Sequence, residues 1–327
     1  MRRTAVRLAG VLIGGGLLWL AAARTDWGLL GKALVEADLP LVAGAVLLRL
    51  LTFPLRSFRW DLTLRPSGYR GGWRGLFSPL MAGFFTNYVL PVKSGELVRA
   101  LLLGRHGLSA GGGLATIAVE RVLDLATLLF LLWWASLVVP VPGWVGVVGF
   151  SAATLMVGGI ILLGIMAGHS ARMASFLDGA LRRIGFPWHQ RVARAVAKVE
   201  EGLGVLRRRH LLGAGLAVSL LIWAVNVTGM MAAGLAAGVR LPLSTWILLT
   251  VVFNLSTLVP SLPGRLGTME FIFVTVLGLF GLDAARAMAV AVLVRVTHVA
   301  PLALGYLCLL REGIHPFRRG EREDGPA

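Results

Sequence analysis

The sequence predicts an all-α, polytopic integral membrane protein with six full spans and two oppositely oriented re-entrant helical hairpins. Three observations carry that expectation. Hydrophobic residues fill 57% of the 327 positions and charged residues only 15%, against roughly 25% charge in soluble domains. Six apolar runs are long enough to cross about 30 Å of hydrocarbon: 5–23, 39–58, 113–139, 144–167, 211–238 and 287–310. Two further runs, 76–103 and 244–280, are apolar at both ends and broken in the middle by Pro, Gly and charge.

The run 5–23 follows Arg2, Arg3 and Arg7. Its Ala21-x-Ala23 end fits a cleavage site, but its near-spanning length and the runs behind it favour a retained first helix. Residues 24–38 read as an outer loop of mixed charge, with Arg24 and Lys32 against Asp26, Glu36 and Asp38. Arg56, Arg59, Arg65, Arg70 and Arg74 end the second run and follow it. The connection at 140–143 has no charge, whereas 168–210 reads as a loop with nine Lys or Arg against three acids. Within that loop, Val192, Ala195, Val196, Val199, Leu203 and Leu206 recur at helical spacing. They predict an in-plane helix on the cytoplasmic leaflet, with a short helix clear of lipid as the alternative. Trp133, Trp134 and Trp144 sit at span ends, as an interfacial belt requires.

Basic loops face the cytoplasm. With the N- and C-termini inside the cell (inner) membrane, every strongly basic segment falls on that side only if each broken run leaves where it entered. The first then dips in from the cytoplasm and the second from outside. Residues 39–139 and 211–310 thereby become an inverted-topology repeat, the arrangement many secondary transporters use. The chain divides as one membrane domain: 1–38 first span and outer loop, 39–139 first repeat, 140–210 connecting span and basic amphipathic segment, 211–310 second repeat, 311–327 cytoplasmic tail.

A net charge of +16 on loops beside apolar runs speaks for anionic headgroups rather than nucleic acid. One cysteine, Cys308, allows no internal disulfide and no thiolate cluster, and no metal or cofactor is expected. The expected partners are membrane lipids, anionic or phosphate-bearing, with a second copy of the chain and a lipid-synthesis enzyme as further candidates.

In the first broken run, Asn87 ends a half-helix, Pro91 stops it, and Ser94 and Gly95 open a second. Lys93, Glu96 and Arg99 place charge at the break, with Arg99 within reach of Glu96. In the second, Asn254 precedes Pro260 and Pro263; Gly264 and Gly267 loosen the backbone, Arg265 supplies a cation, Thr268 is a capping candidate and Glu270 lies in the new first turn. Half-helix N-termini attract anions, and unwound backbone at membrane depth must line a cavity or be buried by protein. On the next span, Glu120 and Asp124 share a face and Arg121 pairs at i, i+3 with Asp124. That cluster reads equally as substrate path or as a structural lock. Arg49 and Arg295 are midspan cations, counter-ion candidates for Glu96, Glu120 or Glu270, and His298 reads as a packed imidazole.

The segments "NYVLPVKSGELVR" (87–99), "ERVLD" (120–124) and "PSLPGRLGTMEF" (260–271), in that order, resemble the membrane region of lysylphosphatidylglycerol synthases, a flippase-like family. The resemblance covers about 40–310. It implies re-entrant hairpins, movement of a lipid between leaflets, and motif positions at Asn87, Pro91, Gly95, Glu96, Arg99, Glu120, Arg121, Asp124, Pro263, Gly264, Gly267 and Glu270. Two positions depart from the pattern: Lys93 stands where arginine is frequent, and Arg265 where a second glycine is usual. The soluble aminoacyl-transfer part of two-part members is absent here, so lysylphosphatidylglycerol synthesis is not expected.

The leading expectation is therefore a flippase-like transporter of an anionic or phosphate-bearing lipid headgroup, and not an enzyme. Two alternatives stand beside it. Paired carboxylates such as Glu96 and Glu120 fit acid–base chemistry on a headgroup, although neither H-E-x-x-H nor G-x-S-x-G occurs. A proton-coupled carrier of a small solute is the other.

Overall fold

The structure, a computed structural model, describes residues 15–23, 25–89, 94–139, 143–256 and 262–314. Among these, all regular structure is helical. The elements are α1 (15–22), α2 (Trp27–Val35), α3 (Leu39–Leu64), α4 (Gly72–Val89), α5 (Gly95–Leu103), α6 (Ala110–Val138), α7 (Gly143–Arg183), α8 (His189–Ala197), α9 (Val199–Leu203), α10 (Arg209–Ala236), α11 (Leu243–Leu255), α12 (Thr268–Gly278), α13 (Ala284–Val296) and α14 (Val299–Arg311).

Four stretches are long and apolar enough to cross a membrane: Leu39–Ser67, Gly143–Ala167, Arg209–Ala236 and Ala284–Arg311. α6, with 29 residues, is about 43 Å long at 1.5 Å per residue, but it carries Glu120, Arg121 and Asp124. The half-length helices α11 and α12 are apolar as well.

Both interrupted runs break as expected, α4 from α5 and α11 from α12. α4 and α5 fold back on each other so closely that a Cβ on Gly95 would strike the Gly83 carbonyl oxygen and the Asn87 amide. α11 and α12 meet through an edge-to-face contact of Phe253 and Phe273, centroids 5.6 Å apart.

Five expectations need correction. Residues 24–38 are not a plain loop: Asp26 accepts from the Gly28 and Leu29 amides and starts α2. The second run does not stop near 58, because Arg56, Arg59 and Asp61 continue on α3 to Leu64. Residues 168–210 are mostly helical, since α7 runs on to Arg183 with a kink at His169. The predicted amphipathic helix is divided at Lys198, and Val199, Leu203 and Val205 are buried against Ala115, Val119 and Leu123 of α6. The apolar side of α9 is therefore occupied by protein, whereas α8 has no buried residue. The last run is likewise two helices, parted at Thr297 and His298.

At the centre α3 and α10 pack along their lengths. α4 packs on α3 and on α14, while α11 packs on α10 and on α6. The first helix of each interrupted run thus rests against a helix distant from it in the sequence. Trp246, Phe253, Phe273, Val290 and Val294 fill one core, and Trp60, Leu64, Leu76, Met81 and Leu103 a second.

Candidate functional site

Two buried polar centres lie along the α3–α10 pair. The first joins α3, α5, α6 and α10. Arg59 donates to Asp124 at 2.6 and 3.3 Å and to the Ser219 hydroxyl at 2.7 Å. Arg99 donates to Glu120 at 2.7 Å and stacks 4.0 Å from the Trp60 ring. Arg59 stands 3.8 Å from Glu120, and both side chains are 1% exposed. Arg56 and Arg121 approach Asp124 at 3.7 and 3.6 Å. Guanidinium is the cation suited to such a place, because its planar fork matches a carboxylate with two donors.

This geometry overturns one expected contact. Arg99 pairs with Glu120 on α6, not with Glu96. Glu96 is half-buried and makes no ion pair among the described residues. The reason is directional: α5 turns Arg99 onto the buried Trp60 face, three positions round from Glu96. Arg56 and Arg59 were missed as site residues because they lie at and just past the end of the apolar run 39–58, where a cation reads as belonging to the loop. The signal that could have found them is the i, i+4 pair of Asp61 and Arg65, which carries the helix past the apolar run.

The half-helix starts are also less open than expected. Asn87 Oδ1 accepts from the Gly95 amide at 2.8 Å, and Glu270 accepts from the Gly267 amide at 2.8 Å. Thr268 is not the cap; its buried hydroxyl has no hydrogen-bond partner among the described residues. Pro91 and Lys93, with Pro260, lie outside the described residues. Gly95→Ala is expected to cost about 1–3 kcal/mol by overpacking, read as a lower Tm of the purified protein. Gly104→Ala, where an added Cβ meets nothing within 4 Å, is the control.

The second centre is a cavity of about 100 Å³ between α3, α4, α10, α11 and the α13–α14 break. That is several times the space one water needs. Its polar wall is Arg49, Tyr88, Asn226, Thr250, Asn254, Arg265, Thr297 and His298. Among the described residues no carboxylate lines it. Arg49 donates to Asn226 Oδ1 at 2.8 Å and lies 3.1 Å from His298 Nε2, and its buried Nε has no partner among the described residues. His298 Nδ1 is 2.9 Å from the Val294 carbonyl. That oxygen can only accept, so Nδ1 carries the proton and Nε2 accepts from Arg49. Arg49 is therefore not a counter-ion to any glutamate. Arg295 is: it pairs with Glu270 and donates to the Gly264 carbonyl at 2.8 Å.

Arg265 is the one non-glycine residue with positive φ among the described residues, at +56°. Gly264 before it is at +66°, packed against Tyr88 of α4. A side chain in this left-handed region costs free energy that glycine avoids. The backbone thus explains why glycine suits this position, and the arginine there brings a guanidinium 4.7 Å from the Phe253 ring and into the cavity. Asn254 lines the same wall and donates back to the Thr250 carbonyl at 2.7 Å.

The family described as the lysylphosphatidylglycerol synthase TM region matches residues 7–305. A UPF0104 membrane protein of Methanothermobacter thermautotrophicus is 27% identical over 281 residues, 79% of this chain and 80% of the relative. The glycosyltransferase AglD of Haloferax volcanii is 28% identical over 322 residues, 88% of this chain and 51% of that protein. No solved structure matches. A family match across almost the whole chain, with helices apolar enough to cross a bilayer, makes this an integral multi-pass membrane protein that belongs to the lysylphosphatidylglycerol synthase transmembrane-region family.

Proposed function

We propose that the protein is a flippase-like transporter that passes an anionic or phosphate-bearing lipid headgroup across the cytoplasmic membrane while the acyl or prenyl tails stay in the bilayer. The observation that carries this reading is the cavity: Arg49 and Arg265 share one buried polar space between the two broken hairpins, with no carboxylate on its described wall. Two partly buried guanidiniums that share a cavity with no carboxylate on its described wall are costly, and a passing phosphate offsets that cost while it is bound. Neither the enzyme nor the proton-coupled alternative has a comparable feature.

The finer architecture belongs to the same proposal. Six spans with two re-entrant hairpins, termini in the cytoplasm, and inverted repeats at 39–139 and 211–310 account for the crossed packing of α4 on α14 and α11 on α6. They also account for two ion pairs of opposite sense. In one half Arg99 of the hairpin meets Glu120 of the following helix; in the other Glu270 of the hairpin meets Arg295. Alternating access would rock one half against the other about α3 and α10. Asn87, Gly95, Gly264, Gly267 and Glu270 then build the hairpin turns rather than touch the headgroup.

The test is lipid exchange between leaflets in liposomes holding the purified protein. The panel comprises anionic and zwitterionic phospholipids, polyprenyl phosphate and, given the name of the Haloferax relative, a glycosylated lipid. At least one phosphate-bearing lipid should cross tenfold faster than in protein-free vesicles. No acceleration for any member removes the proposal.

A further inference from the structure

α7 has 41 residues, interrupted by a kink at His169, about twice the number that cross the hydrocarbon. Only Gly143–Ala167 is apolar enough to span. The remainder, past the kink at His169, ends in a turn with large apolar side chains outside the span. Phe176 is 70% exposed, Ile184 75% and Trp188 60%. The turn is built rather than frayed. Gly185, at φ +70°, closes α7 with its amide on the Arg182 carbonyl, and the Phe186 amide reaches Leu181. Phe186 and Trp188 stack edge to face with centroids 6.4 Å apart. His189 Nδ1 meets Asp178 at 2.7 Å and ties α8 back to α7.

Charge surrounds this apolar tip. Arg182, Arg183, Arg191 and Arg194 are all exposed on the residues flanking it, and Asp178, the one acid between α7's kink and α9, is already engaged by His189. The tip is also anchored next to a membrane helix: Ala195 of α8 packs its backbone against Gly111, in the first turn of α6.

We propose that residues 176–194 form a membrane-docking wedge, in which Ile184, Phe186 and Trp188 enter the headgroup boundary of the bilayer that the chain spans and the four arginines bind anionic lipid. Apolar side chains on one element ringed by Arg are the chemistry of interfacial anchoring. Continuity with the Gly143–Ala167 span and the contact at Gly111 keep the element beside that bilayer, which favours a lipid surface over a protein partner. The wedge is separate from the cavity, so it stands or falls independently of the transport reading.

The full-length protein, with Trp188→Cys in a Cys308→Ser background and an environment-sensitive fluorophore at that position, is placed in nanodiscs. One set contains phosphatidylglycerol and the other only phosphatidylcholine. Emission should shift to the blue and be quenched by headgroup-region nitroxide lipids in the anionic discs. Arg182→Gln with Arg183→Gln should lower the docked-to-free ratio roughly 30-fold. The same label at Ile184→Cys guards against misfolding of the first variant. Water-like emission in both discs overturns the proposal. So does shielding that is already present in lipid-free detergent, the mark of a protein contact, or shielding indifferent to lipid charge and to the arginine changes.

Discussion

Arg265→Gly should slow headgroup passage by one to two orders of magnitude and leave the protein as stable as before, or more so. The two effects have different sources. A charge-assisted hydrogen bond to an anion contributes about 1.5–3 kcal/mol, which sets the loss of rate if the cavity guanidinium holds the phosphate. Against that, the arginine occupies a φ of +56° that glycine adopts without steric strain, and its cation lies in a cavity with no carboxylate on its described wall. Removing it relieves both costs. Arg49→Met should show the same loss of transport with less relief, since Arg49 also bonds Asn226 and His298. Parallel flip assays and thermal unfolding of the purified variants check this. A variant that transports normally would take the cavity out of the mechanism.

Asp124→Leu should behave in the opposite way, costing about 3–5 kcal/mol of stability and showing as a large drop in Tm and in the amount of folded protein extracted from membranes. The change leaves Arg59, 1% exposed, with Ser219 at 2.7 Å and Glu120 at 3.8 Å, and strips Arg56 of its nearby acid. The double change Arg59→Met with Asp124→Leu should recover much of the loss, because an apolar pair of similar volume replaces a buried ion pair at little net cost. This pair of measurements separates the two readings of the "ERVLD" cluster. Lost transport at unchanged stability would make it part of the substrate path; lost stability with rescue by the double change makes it a lock between α3 and α6.

The helix content, the two interruptions and most of the polar positions were legible because they depend on local properties. Apolar run length reports burial in lipid or core, and Pro and Gly clustered with charge report breaks, so α4–α5 and α11–α12 could be located from Asn87 to Gly95 and from Asn254 to Gly267; a lone proline does not, since Pro54 and Pro79 lie inside α3 and α4. The pairing of Arg121 with Asp124 was legible for the same reason, being set by helical spacing. Arg59 was not. It sits past the end of an apolar run and looks like a loop cation until Asp124 and Ser219, from two other helices, close around it. The break at Thr297 and His298 had a local signal in Pro301, which lies in the first turn of α14, whereas Arg49 could have faced any of three glutamates.

By itself, then, the sequence determined that this chain is helical, lies largely in membrane, and interrupts two of its apolar segments with groups that bilayer lipid cannot satisfy. Tertiary structure alone decided which ions pair and which remain without a carboxylate: Arg99 with Glu120, Arg295 with Glu270, and Arg49 and Arg265 facing one cavity. The physical reason is that a partner for a buried charge is chosen by which helices cross, and helix crossing depends on side-chain packing between separate helices, whether 21 residues apart like Arg99 and Glu120 or on distant segments like Arg49 and Arg265, which no local period encodes.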